Sequence, residues 1–241
     1  MRVSRIFTQQ VLAAGATVNL EQRAAHYLSQ VLRLRNGDKI VLFDGSGGDF
    51  QAELTRCHRK ACTARVVALT RQEHPADLQL HLGIGVSRGE RMDFVIQKSV
   101  ELGVTAITPL LTERSLVQFR SDRQEKRMSH WQGVLLGACE QSGRSLIPTL
   151  HSPAALPDWL IAHREGLMLD HRVTRTLPEL PHPGIVLNLL VGPEGGLSEA
   201  ERSQATAAAF TAVRLGPRVL RTETAPLAAL AAIQVLWGDM R

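Results

Sequence analysis

Apolar and polar positions follow two regimes along the chain. Over residues 21–34, Ala25, Leu28, Val31 and Leu32 recur at helical spacing, which predicts one helix. The turn-forming Asn36-Gly37-Asp38 stops it. Residues 39–44, 50–56 and 62–70 read as strands, separated by Gly45-Ser46-Gly47-Gly48-Asp49 and by His58-Arg59-Lys60. Short strands with tight turns around a single helix predict a small β-rich barrel. The polar, proline-containing stretch 71–77 reads as a linker.

From Leu78 onward, strands and helices alternate. Strands are predicted over 78–86, 106–111, 147–150, 166–169, 185–191 and 212–215. Helices are predicted over 90–102, 121–142 and 153–163, from Ser198 onward, and over 225–237. The long helix carries Met128, Trp131, Leu135, Ala138 and Ser142 on one side. The nearly unbroken apolar run 185–191 has the character of a strand covered on both faces. This alternation predicts an α/β domain with a mostly parallel sheet, dividing the chain into residues 1–72 and 73–241.

Charge sharpens that division. Residues 1–72 carry 11 Lys/Arg against 5 Asp/Glu, and residues 73–241 carry 17 against 18. The whole positive excess therefore sits in the first third, as in a polyanion-binding module joined to a near-neutral domain. With 44% apolar and 21% charged residues among 241, the chain can bury a core and is not a disordered polymer. No apolar run approaches the ~20 residues of a membrane helix, and the N-terminus lacks the apolar stretch of a secretory signal. Cys57, Cys62 and Cys139 cannot pair evenly, which points to a reducing cytoplasm.

Two loops carry candidate chemistry. In Leu190-Val191-Gly192-Pro193-Glu194-Gly195-Gly196-Leu197-Ser198 a buried strand ends in three glycines and one carboxylate, and a helix starts at once. Ser198 with Glu201 fits a capping box. The carboxyl end of a strand in an open α/β sheet is where ligands bind, and glycines let the backbone approach a ligand closely. The second loop, Leu215-Gly216-Pro217-Arg218-Val219-Leu220-Arg221-Thr222-Glu223-Thr224-Ala225-Pro226, also follows a strand and precedes a helix. Thr224 is its expected N-cap, with Pro226 early in the helix. Arg218 and Arg221 offer forked donors to phosphate or carboxylate, or to an acidic neighbour in the loop.

Other features are weaker. Gly83-Ile84-Gly85 lacks the rest of a dinucleotide fingerprint. Cys57 and Cys62 lack a second pair at zinc spacing, so no metal is expected. The nine histidines form no helical metal pair, and no nucleophile elbow is present. Trp131 and Trp159 lie on apolar helix faces, the usual place of core residues. Arg2, Arg5, Arg33 and Arg35 are candidates for phosphate contacts.

At the two loops the sequence resembles the ribosomal RNA small-subunit methyltransferase E family, of the SPOUT class of S-adenosylmethionine-dependent enzymes. The likeness extends through residues 2–7 and 31–38, through Ser87-Arg88-Gly89-Glu90-Arg91-Met92, and through residues 97–103 and 138–144. Pro226 departs from the pattern, which has a small or hydroxyl residue there.

The resemblance implies a PUA-like RNA-binding barrel over 1–72 and a SPOUT methyltransferase domain over 73–241, with a deep trefoil knot near the C-terminus. It also implies a cytoplasmic homodimer, with no membrane association, that methylates N3 of one uridine in 16S rRNA of the assembled small subunit. S-adenosyl-L-methionine is the implied cofactor. Leu190, Gly192, Pro193, Glu194, Gly195, Leu215, Gly216, Val219, Leu220, Thr224 and Ala225 are its candidate contacts. Arg221 is the candidate for stabilising charge on the uracil, with Glu223 or Glu194 as base or orienting partner. The charge split suits equally well a non-catalytic RNA-binding or ribosome-assembly protein that retains an adenosine-nucleotide pocket. In a third reading, a small-molecule enzyme using an adenine nucleotide, the basic N-terminal domain would be superfluous.

Overall fold

The computed structural model describes residues 3–59, 61–115 and 121–240, in two compact units. The first comprises Met1–Pro75 together with Cys139–Ile147. Its strands are β1 (Arg5–Phe7), β2 (Thr17–Leu20), β3 (Lys39–Phe43), β4 (Gly48–His58) and β5 (Ala61–Gln72). They form one sheet in the order β1-β3-β4-β5-β2. β1 runs parallel to β3, and the other pairs are antiparallel. The predicted helix is α1 (Gln22–His26), which continues into a π-helical turn at Tyr27–Val31. Its Ala25 and Leu28 join Ile6, Val18, Ile40, Leu54 and Val66 in the core. β1 and β2 escaped the hydrophobic pattern because three or four residues are too few to show a period of two.

Residues Cys139–Ile147 belong to this unit although the sequence pattern groups them with the second segment. Polar contacts hold them there. Arg5 donates to the Arg144 carbonyl and to Ser145 Oγ, each at 3.1 Å. The Phe7 N–H donates to Glu140 Oε1 at 3.2 Å, and the Leu146 N–H to Glu73 Oε2 at 3.0 Å.

The second unit comprises Ala76–Ala138 and Pro148–Arg241. Its elements are β6 (Gln79–Gly85), α2 (Glu90–Glu101), β7 (Ala106–Leu111), α3 (Ser121–Ser142), β8 (Thr149–Leu150), β9 (Ala154–Ala155) and α4 (Leu156–Ala162). There follow β10 (Gly166–Leu169), β11 (Val186–Val191), α5 (Glu199–Ala207), β12 (Phe210–Val213) and α6 (Thr224–Trp237). The sheet order is β12-β10-β11-β6-β7-β8, with β9 also beside β7, and every pairing is parallel. β11 is central, and all its residues after Val186 are buried. The last strand lies two residues earlier than expected, because Phe210 and Val213 fill the core while Leu215 belongs to the following loop. The front of the expected helix 153–163 is instead β9.

A cluster of rings lies within this unit. His81 on β6 faces His163 and His151 with ring centroids 4.3 and 5.3 Å away, and Trp159 stacks on His163 at 4.9 Å. His81 Nε2 lies 2.8 Å from Thr108 Oγ1. The glycines of Gly83-Ile84-Gly85 have packing roles: a Cβ on Gly83 would strike Trp159, and one on Gly85 would lie 2.5 Å from Pro193 N.

Candidate active site

β12, β10 and β11 are adjacent and parallel, so the loops that follow them emerge at one edge of the sheet. They line a cavity of about 210 Å³.

The loop after β11 is fixed at both ends. The Gly196 N–H donates to the Pro193 carbonyl at 2.8 Å, and Gly196 takes the left-handed conformation at φ +67°. A Cβ on Gly192 would stand 2.9 Å from Leu197 N, so the turn closes only without a side chain there. Downstream, Ser198 caps α5: its Oγ accepts from Glu201 N at 3.2 Å while Glu201 Oε2 accepts from Ser198 N at 2.8 Å, the reciprocal capping box. Glu201 Oε1 also accepts the Glu113 N–H at 2.7 Å, tying the loop to the end of β7.

The loop after β12 carries Leu215 through Glu223. The Arg221 carbonyl accepts from both Thr224 N and Ala225 N at 2.9 Å. The N-cap of α6 is Glu223, with helical dihedrals and no side-chain cap, so Thr224 is the first helical residue rather than the cap. Pro226 is buried in the first turn, where a missing N–H has no helical partner to lose.

The loop after β10 was missed by sequence reasoning. Asp170 is buried and accepts from Arg172 N at 3.0 Å and Arg172 Nη1 at 3.1 Å, with Arg202 Nε at 3.6 Å. Its own N–H donates to the Val213 carbonyl at 2.9 Å. A charged Asp-His-Arg tripeptide directly after a predicted parallel strand was the available signal.

Of the expected cofactor contacts, Gly192, Pro193, Glu194, Gly195, Leu215, Val219, Leu220 and Ala225 line the cavity, while Leu190, Gly216 and Thr224 do not. Leu190 is fully buried within β11. Val191, Leu197, Val213 and Leu220 give the cavity an apolar wall, and Asp170, Arg172 and Arg218 a polar rim. That make-up is usual for small-ligand sites. It fits an adenosyl cofactor, whose ring needs apolar cover and whose amino-acid end carries both charges.

Arg221 and Glu223 also lie outside the lining, flanking Thr222, which is part of it. Arg221 is exposed, and its guanidinium makes no hydrogen bond or ion pair among the described residues. Glu194 and Glu223 meet through Arg91, a residue outside the candidate set although inside a family-like motif. Arg91 Nη1 donates to Glu194 Oε1 at 3.0 Å, and Arg91 Nε lies 3.9 Å from Glu223 Oε2. Glu194 Oε1 also accepts the Arg88 N–H at 3.1 Å. Burial raises the Glu194 carboxyl, but the N–H groups of Glu194 and Arg88, with the Arg91 guanidinium, outweigh it and hold the group below the ordinary carboxylate range.

In the first unit, Arg33 and Arg35 are exposed on the loop before β3. Arg5 is not. Its side chain is 12% exposed, pairs with Asp49 and lies 4.9 Å over the Phe43 ring. Arg2 lies outside the described residues. Gln22, Arg23, His26 and Arg59 line an open basic cleft that sequence reasoning did not single out. The helical spacing of Arg23 and His26 was its signal.

Comparison with known proteins agrees with this layout. Residues 74–234 match the model of an RNA methyltransferase domain, and residues 20–67 that of an RNA methyltransferase PUA domain. The ribosomal RNA small subunit methyltransferase E of Buchnera aphidicola is 35% identical, the match covering 99% of this chain and 98% of that one. Its Bacillus subtilis counterpart is 28% identical over 96% of each. The crystal structure of the Neisseria gonorrhoeae ribosomal RNA small subunit methyltransferase E bound to S-adenosyl methionine superposes with a TM-score of 0.92. It is 39% identical, with full coverage of both chains. A Legionella pneumophila methyltransferase structure in complex with SAM superposes at 0.96, with 36% identity and full coverage of both. The fold is thus the expected SPOUT-type α/β fold with an N-terminal PUA-like domain, and the chain belongs to the ribosomal RNA small subunit methyltransferase E family.

Proposed function

We propose that this enzyme transfers a methyl group from S-adenosylmethionine to N3 of a uridine in 16S rRNA, acting on the assembled small subunit as a cytoplasmic homodimer. The observation that carries the reading is the convergence of the loops after β10, β11 and β12 on one cavity. Gly192, Gly195 and Gly196 of its turn and Glu194 are in the lining, and Arg221, unpartnered among the described residues, and Glu223 flank the lining residue Thr222. The family favours catalysis over a non-catalytic ribosome-binding role.

S-adenosylmethionine supplies a methyl group on a sulfonium, an electrophile that needs no covalent help from the protein. The chain's part is alignment and charge. Backbone groups of Gly192, Gly195, Leu215 and Leu220 hold the adenosyl moiety, and Asp170 and its arginines suit the charged end. Neutral uridine must lose its N3 proton, which leaves negative charge on O2 and O4. Arg221, with no partner of its own among the described residues, stabilises that charge. Glu223, held by one long ion pair, is the better proton acceptor. Glu194, more tightly bound and of lowered basicity, orients Arg91 and the loop.

Arg33 and Arg35 anchor RNA phosphates on the basic unit, which positions the substrate without reading its sequence. Arg5 serves the interior of that unit instead. Phe94 on α2 and Val235 and Leu236 on α6 are exposed apolar side chains on two helices that pack together, which supports association with a second copy. A trefoil knot near the C-terminus is part of the same reading; the loops after β11 and β12 lie together at one cavity. Among the described residues no helix is long and apolar enough to cross a membrane.

Titration calorimetry with S-adenosylmethionine, ATP and NAD tests the cofactor, and preference for either nucleotide would overturn it. Arg221→Ala is expected to bind cofactor and RNA normally while turnover falls about 100-fold. Full turnover in that variant would remove Arg221 from the mechanism.

A further inference from the structure

Cys57 and Cys62 are cross-strand partners at the tip of the β4–β5 hairpin. Their sulfurs lie 2.8 Å apart. Directly opposed residues of an antiparallel pair have Cα atoms about 4.5–5.5 Å apart, inside the ~4.4–6.8 Å window of disulfides. Both side chains also point to the same face of the sheet. Cys62 is buried, whereas Cys57 is half-exposed, so a reagent from solvent reaches Cys57 first. Cys139 is fully buried and makes no contact with either sulfur among the described residues.

We propose that Cys57 and Cys62 form an oxidation site, an internal dithiol that a low-molecular-weight disulfide converts to a cross-strand disulfide. The Cys57 thiolate attacks one sulfur of the reagent, forming a mixed disulfide and expelling one thiolate. The Cys62 thiolate then attacks the Cys57 sulfur, closes the protein disulfide and expels the second. The two protein protons end on the two released thiols, so two protein thiols are oxidised and one reagent disulfide is reduced. Burial, the bonded Cys62 thiol and the Asp38 charge together push the Cys57 thiol up to about 12. The Cys57 thiol is therefore protonated at neutral pH, so its attack on the reagent disulfide is slow and calls for excess reagent.

The bond would lock a junction that already bears load. The Cys57 N–H donates to Asn36 Oδ1 at 2.9 Å, and Gly37 N donates to the Leu54 carbonyl at 2.7 Å. Both bonds fasten the loop that carries Arg33 and Arg35 to β4.

The full chain, native, is incubated with excess oxidised glutathione, then alkylated, denatured and mapped by tryptic mass spectrometry. The expected result is loss of two of three titratable thiols, with peptides 57–59 and 61–65 joined by one disulfide and no glutathione attached. Cys62→Ser should trap glutathione on Cys57, because the resolving thiol is gone. Three free thiols after oxidation, a bridge involving Cys139, or a stable glutathione adduct on Cys57 of the unsubstituted protein would each overturn the proposal.

Discussion

Arg91 holds Glu194 at 3.0 Å and so ties α2, on which it lies, to the glycine turn after β11. The same guanidinium reaches Glu223 at 3.9 Å, on the loop that leads into α6. One exposed arginine thus sets the spacing of both cavity loops. Arg91→Ala is expected to weaken S-adenosylmethionine binding about tenfold, the ~1.4 kcal/mol that a charge-assisted bond at a partly exposed site can contribute. Arg91→Lys should recover part of it. Calorimetric titration of both variants checks this, and unchanged affinity in Arg91→Ala would show that the loops hold their places without it.

Glu194 makes that coupling sensitive to acid. Its carboxyl titrates below the ordinary range, so in acid the folded protein binds fewer protons than the unfolded chain. The stabilisation is complete above the ordinary carboxylate range and is lost as pH falls through the lower folded value. Glu194→Gln should therefore flatten the acid limb of the thermal-stability profile. An identical acid limb would contradict the ionised, bonded state of Glu194.

Gly192 tests the turn itself. A methyl group there would press on the Leu197 N–H at 2.9 Å, and that backbone cannot swing aside as a side chain can. Gly192→Ala is expected to cost about 1–3 kcal/mol of stability and more than tenfold in cofactor affinity. Gly195→Ala would meet the Arg114 side chain at 3.0 Å and should be milder. Equal losses in the two variants would refute this account of the turn.

Three of the arginines named from sequence should separate by role. Arg33→Ala and Arg35→Ala are expected to lower RNA affinity and to reduce the salt dependence by about one counterion each, leaving cofactor affinity unchanged. Arg5→Ala should instead destabilise the first unit by about 1–3 kcal/mol, because buried Asp49 loses one of its two arginine partners and keeps Arg71. Salt-titrated RNA binding and thermal melts distinguish the two behaviours. A stable Arg5→Ala with weakened RNA binding would reverse the assignment.

His81 governs a second acid response. Burial and the neighbouring His163 and His151 push it down to about 3, so it is neutral in the fold. The unfolded chain takes up that proton near 6.5, a mismatch that erodes stability as pH falls from about 6.5 toward 3. The slope is up to about 1.4 kcal/mol per pH unit. His81→Gln should reduce that slope in urea unfolding between pH 7 and 4. An unchanged slope would place the acid response elsewhere.

Much of this layout was legible in the sequence, for identifiable reasons. β7 and α3 coincide with their predicted spans, and β6, α2, β11 and α6 shift by only a residue or so at their ends, because long apolar or helix-periodic runs leave little choice of element. The Ser198–Glu201 box was readable because its two bonds connect residues three apart. Asp170 was not, since only the pairing of β10 with β12 brings its N–H to Val213. Arg91 and Glu194 lie 103 positions apart, and no local pattern joins them. Arg5 looked like a phosphate ligand because composition counts charge without showing burial.

The most direct measurement is transfer of labelled methyl from S-adenosylmethionine to small ribosomal subunits that lack the modification, mapped by reverse transcription. Methylation at N3 blocks Watson–Crick pairing, so the enzyme should produce one new, cofactor-dependent stop at a single uridine of 16S rRNA. That stop should be lost in Arg221→Ala. Cofactor binding with neither label nor stop on these particles would contradict the proposed reaction.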